Sequence, residues 1–296
     1  MARIFSVAIP AIILTFLLDS IGQSVNLAAY SEGYQAMDYA PVRAVSSLFF
    51  LNEIWLLGIQ LFSNVPYWSL NYEVWYYVGF ALVYYIGGIK GKFLFLLLML
   101  FLGPKVVLLM PLWWLGVYIY KSKFHNNISL LTAWGLVVIS LLSLSLFMYY
   151  GLSGKGWDFL KALMGNQWHR ELSFSRNFIT DYFLGIIIAI NFIGMRAVCS
   201  YYSTIPQVIE SPIRYLASST FTLYLLHQPL LLFVYSFLYV PELDLSRYLL
   251  MILLTLLSVF FIAHFTEQKK YIWKKWITIY YEAISRRLSS KFFANK

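Results

Sequence analysis

The sequence is short of charge. Only 12% of its 296 residues are Asp, Glu, Lys or Arg, while 60% are hydrophobic. An average soluble domain carries about 25% charged residues, so too little polar surface is left here to cover a globule of this size. The mean hydropathy of +0.69 agrees. Cysteine is scarcer still: Cys199 stands alone, which excludes an intramolecular disulfide and reads as a small packed side chain. The chain has no CxxC, no HExxH, no Walker loop and no GxGxxG. No metal-ligand spacing is present, and a phosphate-cradling NTPase is a poor reading.

What is present in quantity is apolar length. Candidate spans fall at about 4–22, 43–62, 70–88, 93–103, 106–120, 128–150, 179–197, 214–239 and 246–266, several of them near the ~20 residues a helix needs to cross ~30 Å of hydrocarbon. Residues 93–103 are too short to cross alone, and Gly103–Pro104 breaks the helix before 106–120. The expected fold is all-α: a polytopic transmembrane helical bundle of about 8–9 membrane helices. One membrane domain over residues 1–266 and a basic amphipathic tail over 267–296 is the simplest division. Polar loops are expected at 23–42, 151–178 and 198–213.

The formal net charge of +9 gathers in the tail, where eight Lys and Arg face only Glu267 and Glu282. Such a juxtamembrane tail marks the cytoplasmic side and is drawn to anionic lipid; nucleic acid is not an expected partner. Ile272, Trp276, Ile279 and Ala283 share one helical face there, as in an interfacial helix. Counting loop charges back from a cytoplasmic tail puts the acidic 240–245 outside, 198–213 inside and 151–178 outside; residue 1 is then outside if 93–120 crosses twice, and inside if it crosses once or three times. The expected location is the cell (inner or plasma) membrane. Residues 1–22 have neither a basic n-region nor a small-residue cleavage site, so no secretory signal peptide is expected.

Ionisable groups inside spans are functional candidates by default, because a central Asp costs roughly 2.5–3.5 kcal/mol to insert. Glu73 leads. On a helix, Ser69 lies at i−4 and Tyr76 and Tyr77 at i+3 and i+4, all able to hydrogen-bond its carboxyl. Trp68, Tyr72 and Trp75 form a neighbouring aromatic face, suited to an acyl chain, a sugar or a nucleotide ring. His227 comes next. Pro229 frees the carbonyl of Leu225, so His227, Gln228 and an open backbone carbonyl converge near one bend, with Tyr224 at i−3. Asp19 and His264 sit near span ends, where hydration explains them. Glu53 lies mid-span beside Asn52 and is read equally well as facing the interior or not. His169-Arg170-Glu171 looks like acid/base equipment, though such triplets are common in solvated loops.

These residues carry a resemblance. WSLNYEVWYY (68–77) resembles the WSLxxE signature of the acyltransferase 3 family of integral membrane O-acyltransferases. RIFSVAIP (3–10) is similar to that family's Arg-containing segment, GPKVVLLMPLWWLGV (103–117) to its Gly-Pro-Lys and Trp-Leu-Gly helix, and SFSRNFITDYFLG (173–185) and TLYLLHQPLLL (222–232) to later helices. FTEQKK (265–270) corresponds weakly to its closing Glu-containing stretch. The resemblance implies transfer of an acyl group, often acetyl, from acyl-CoA to a hydroxyl of a carbohydrate or other envelope acceptor, with no bound cofactor. It implies catalytic roles for Glu73 and His227. It implies substrate contacts for Arg3, Trp68, Ser69, Tyr72, Lys105 and Gln228, with Arg3 and Lys105 as partners for CoA phosphates. Membrane lipid, acyl-CoA and an envelope glycan are the expected partners.

The family's proposed catalytic His lies in its first membrane helix. Residue 1 here corresponds to the start of the third, and none of His125, His169, His227 and His264 takes the missing position. An N-terminally truncated family member, a catalytically inactive relative, or a transporter-like bundle binding lipid or glycan therefore stays open. So does a membrane-bound O-acyltransferase of the other large type, ranked last because WSLNYE is not part of its pattern.

Overall fold

The computed structural model describes residues 2–202, 206–240, 244–276, 278 and 279. They form eleven α-helices, joined by short 3₁₀ turns and one π turn, and among the described residues no strand occurs. Five helices are long and apolar enough to cross a membrane: Ala2–Val25, Leu130–Tyr149, Phe178–Tyr201, Thr220–Leu238 and Leu245–Trp276. Their outer faces carry large exposed apolar side chains such as Leu131, Ile139, Phe192 and Phe261, as lipid-facing helices do. The chain is a multi-pass membrane protein.

It divides into two compact units. One is built from the described residues of Met1–Leu51, Ile59–Ser69 and Val208–Lys296. It holds α1 (Ala2–Val25), α2 (Ala40–Leu48), the first residues of α3 (Tyr67–Ala81), α9 (Gln207–Ala217), α10 (Thr220–Leu238) and α11 (Leu245–Phe265). Its core is Val7, Ala8 and Ala11 of α1, Leu225, Leu226 and Leu230 of α10, and Val259 and Ala263 of α11. Asp244 caps α11 by accepting from the Arg247 N–H at 2.8 Å.

The other unit takes Asn52–Gly58 and Leu70–Gln207. It holds the rest of α3, α4 (Gly88–Leu102), α5 (Pro104–Lys121), α6 (Leu130–Tyr149), α7 (Leu152–Glu171) and α8 (Phe178–Tyr201). α6 and α8 pack through the small buried Ala133 and Ala197 and through an Asn191 Nδ2 to Ser140 Oγ bond of 2.9 Å. Gly103 separates α4 from α5. Its φ is +83°, and a Cβ there would come within 2.8 Å of the Trp55 backbone, so no other residue fits both demands.

Several expected boundaries move. Residues 43–62 are not a span: α2 stops at Leu48, and Phe50, Trp55 and Phe62 adopt left-handed backbone conformations. Side chains collect what a helix would have bonded, as when Arg43 Nη1 donates to the Gln60 carbonyl at 2.8 Å. The 151–178 loop is instead largely the helix α7, turned at Gly165 with φ +84°. The 214–239 span is cut at Ser218–Ser219 into the end of α9 and α10. In the tail, Ile272, Trp276 and Ile279 are exposed. Ala283, the residues beyond it and residues 241–243 of the acidic 240–245 loop lie outside the described residues.

Candidate functional site

In the first unit the site begins at a proline. Pro229 has no N–H, so the Leu225 carbonyl in α10 lacks its helical donor. Asn64 supplies one: its Nδ2 lies 2.7 Å from Leu225 O and 3.1 Å from Thr15 Oγ1 of α1. The preceding residue completes the clamp, with Ser63 donating its N–H to Asp19 Oδ2 at 2.8 Å and its hydroxyl to Oδ1 at 2.7 Å. Thr15, Asp19, Ser63 and Asn64 are all buried. Asp19 is therefore not a hydrated span end, as its position in the sequence implied. It is a buried anchor, and two neutral donors replace the water it gave up.

The clamp seats the start of α3 beside α10. The Ser69 hydroxyl donates to the Pro66 carbonyl at 3.2 Å, which leaves its oxygen to accept from the Tyr224 hydroxyl at 2.6 Å. Ser69 was expected to face Glu73; it is committed to Tyr224 instead. The Tyr224 and His227 rings lie 6.5 Å apart. His227 Nδ1 is 3.1 Å from Leu223 O and 2.9 Å from Tyr224 O. Both oxygens can only accept, so Nδ1 carries a proton; in the neutral ring that tautomer puts the lone pair on Nε2. His227, Gln228, Trp68 and Ser69 are all half-buried.

At the N-terminal end of α10, Arg3 holds Glu267 Oε1 through Nη2 at 2.7 Å and Nε at 3.2 Å. Oε2 accepts from the Thr222 N–H at 3.0 Å and its hydroxyl at 3.2 Å. Glu267 thus caps the third residue of α10. Its side chain is 2% exposed and that of Arg3 is 55%, so Arg3 keeps donors facing outward. This pairing corrects the charge-based topology. The start of α1 and the end of α11 meet at one end of the unit, whereas the loop count, with 93–120 crossing twice, put them on opposite sides. The count treats 43–62 as a crossing, and those residues are not one continuous helix.

In the second unit, Glu73 accepts from Tyr77 Oη at 2.7 Å, the expected i+4 partner. Tyr76 does not join it, donating instead to the Val106 carbonyl at 2.7 Å. Tyr72 is buried, its hydroxyl 3.1 Å from Ser175 Oγ, and Ser175 in turn donates to the Lys105 carbonyl at 2.7 Å. Trp75 packs edge-on against Phe101. Lys105 is 1% exposed and its Nζ donates to Glu53 Oε2 at 2.7 Å and to the Leu57 carbonyl. That corrects the phosphate contact implied for Lys105, because its charge is enclosed and already matched. Glu53 faces the interior. His169 is also buried, not in a solvated loop. Burial, with the nearby Arg176 and Lys161 cations, holds its imidazole below the ordinary value.

Sequence reasoning missed Asn64 and Ser63. Neither is ionisable, and only the freed Leu225 carbonyl signalled that a donor had to arrive from elsewhere. Among the described residues no three His, Cys, Asp or Glu side chains converge as metal ligands.

Compared with known proteins, the chain matches the acyltransferase domain that defines the acyltransferase 3 family over residues 1–264. No curated protein matches it. No solved structure matches it either. A match over that much of the chain fixes its family: this protein belongs to the acyltransferase 3 family and is a membrane acyltransferase.

Proposed function

We propose that the enzyme transfers an acyl group, acetyl in the first instance, from acyl-CoA to a hydroxyl of a carbohydrate or other envelope acceptor. The observation that supports this most is the His227 ring, whose Nδ1 proton is held by two helix carbonyls while Nε2 stays available as a base. In the reaction, Nε2 takes the acceptor's hydroxyl proton as the oxygen attacks the thioester carbonyl. The C–S bond then breaks, and the departing CoA sulfur receives that proton. Trp68 forms a wall beside Ser69 and Tyr224, and Gln228 offers its amide to the acceptor. Arg3 binds a CoA phosphate through the donors that Glu267 leaves open. With the basic tail in the cytoplasm of the cell membrane, Arg3 stands on the side where acyl-CoA is found. In the second unit, Glu73 is half-buried and hydrogen-bonded by Tyr77; its carboxylate is a contact for a hydroxyl-bearing ligand. Tyr72 supports that segment from behind.

The test uses purified protein in nanodiscs, labelled acetyl-CoA and a panel of sugar acceptors. Acceptor-dependent transfer of label is expected, with a raised acceptor KM in Glu73→Gln. Transfer from acetyl-CoA to none of the acceptors would sink the assignment of donor and acceptor. Unchanged kinetics in Glu73→Gln would sink the role of Glu73.

A further inference from the structure

Between α6 and α8 the chain turns back through α7. Both neighbours are long and apolar enough to cross the membrane and α7 is not, so α7 lies at one end of that hairpin, at headgroup level. Its first half is locked onto the start of α8: a Cβ on Gly156 would fall 2.1 Å from Thr180 Cγ2. Beside Gly156, Trp157 is packed on two sides. The His169 ring meets it edge-on at 4.7 Å and 71°, and the Arg176 guanidinium lies 4.0 Å over its ring.

The polar groups of this stack lack partners. His169 is 1% exposed, yet its Nε2 makes no hydrogen bond among the described residues. The Arg176 guanidinium has no carboxylate and no hydrogen-bond acceptor among the described residues; Asp158 and Glu171 make no ion pair with it. A buried polar atom without a partner costs about 1–3 kcal/mol. A fork of five donors held over an aromatic ring is pre-organised for a planar pair of anionic oxygens. Lys161 adds a second cation near the same imidazole.

We propose that Trp157, His169 and Arg176 form a binding site for a phosphate-bearing ligand at the membrane surface. Arg176 grips two phosphate oxygens, Trp157 holds the guanidinium in place, and His169 Nε2 donates once the anion offsets the neighbouring cations. A bilayer lipid and a water-soluble phosphate compound present the same chemistry, and the experiment separates them. Full-length protein in phosphatidylcholine nanodiscs is titrated with inorganic pyrophosphate by calorimetry. In parallel, discs doped with phosphatidic acid are assayed by native mass spectrometry for retained lipid. Saturable pyrophosphate binding that Arg176→Lys weakens by about tenfold or more assigns the site to a soluble phosphate. Retention of phosphatidic acid that depends on Arg176, without pyrophosphate binding, assigns it to a lipid. Equal binding of both probes by wild type and Arg176→Lys overturns the proposal. Should Arg176→Lys fail to fold, Trp157→Leu carries the same comparison. The probe also moves one imidazole resonance, the one that His169→Asn deletes; a shift that survives in His169→Asn removes His169 from the site.

Discussion

Asp19 and Glu53 are both carboxylates enclosed in a membrane protein, and the two units accommodate them differently. Asp19 is held by a backbone N–H and a hydroxyl from one residue, Ser63. Glu53 is held by a full cation, Lys105. Neutral donors tie a loop to α1 and leave no second charge behind if they are lost. An ion pair commits two charges at once, and removing either strands the other in a poor solvent. The first arrangement suits a segment that must be brought to a reactive face, since Ser63 and Asn64 lead directly to Ser69 and so to Tyr224. The second suits a fixed brace, and the Lys105 carbonyl is part of it, accepting from Ser175.

Mutations sharpen this contrast. Lys105→Met has the largest expected effect on stability, a loss of about 3–5 kcal/mol, because Glu53 is left buried and unpaired. The double change Glu53→Leu with Lys105→Met should recover most of it, and thermal unfolding in detergent checks both. Asp19→Ala should cost less, about 1–3 kcal/mol, since what remains unpaired is neutral. Near-equal losses for Lys105→Met and Asp19→Ala would erase the distinction. Asn64→Leu should cost a similar 1–3 kcal/mol by orphaning the Leu225 carbonyl, and it should lower kcat more than it raises KM, because the turn carrying His227 shifts. A mutant with normal kcat would detach the clamp from the reactive face.

The smallest effect concerns pH. His169 is held below its ordinary value of 6.5, so the unfolded chain binds its proton more readily than the folded one. Stability is then complete above that ordinary value and falls as pH drops below it. His169→Asn should flatten the dependence below about pH 6.5; an unchanged slope would assign it to another group.

The sequence made the local features legible and left the long-range ones hidden. The Gly103–Pro104 break and the freed carbonyl at Leu225 were readable, because proline and glycine act on their own neighbourhood. The donor that satisfies Leu225 was not, since Asn64 lies 161 residues away in the chain. Residues 43–62 read as a span because composition records apolarity and not backbone sign; nothing about Phe50, Trp55 or Phe62 announces a positive φ. α7 read as a loop because its glycines and charges mimic one. Within the candidate site, the WSLNYE and LLHQP stretches stood out on the line of sequence. The partners of Ser69 and Lys105 did not, because each depended on which distant segment arrived.

The most direct test of the central claim is the rate of acceptor-dependent CoA release by His227→Gln beside wild type, in matched nanodiscs at equal folded concentration. A general base at Nε2 predicts a fall of about 10²–10⁴-fold with little change in the acyl-CoA KM. Full turnover in His227→Gln would contradict it and move the base to another residue.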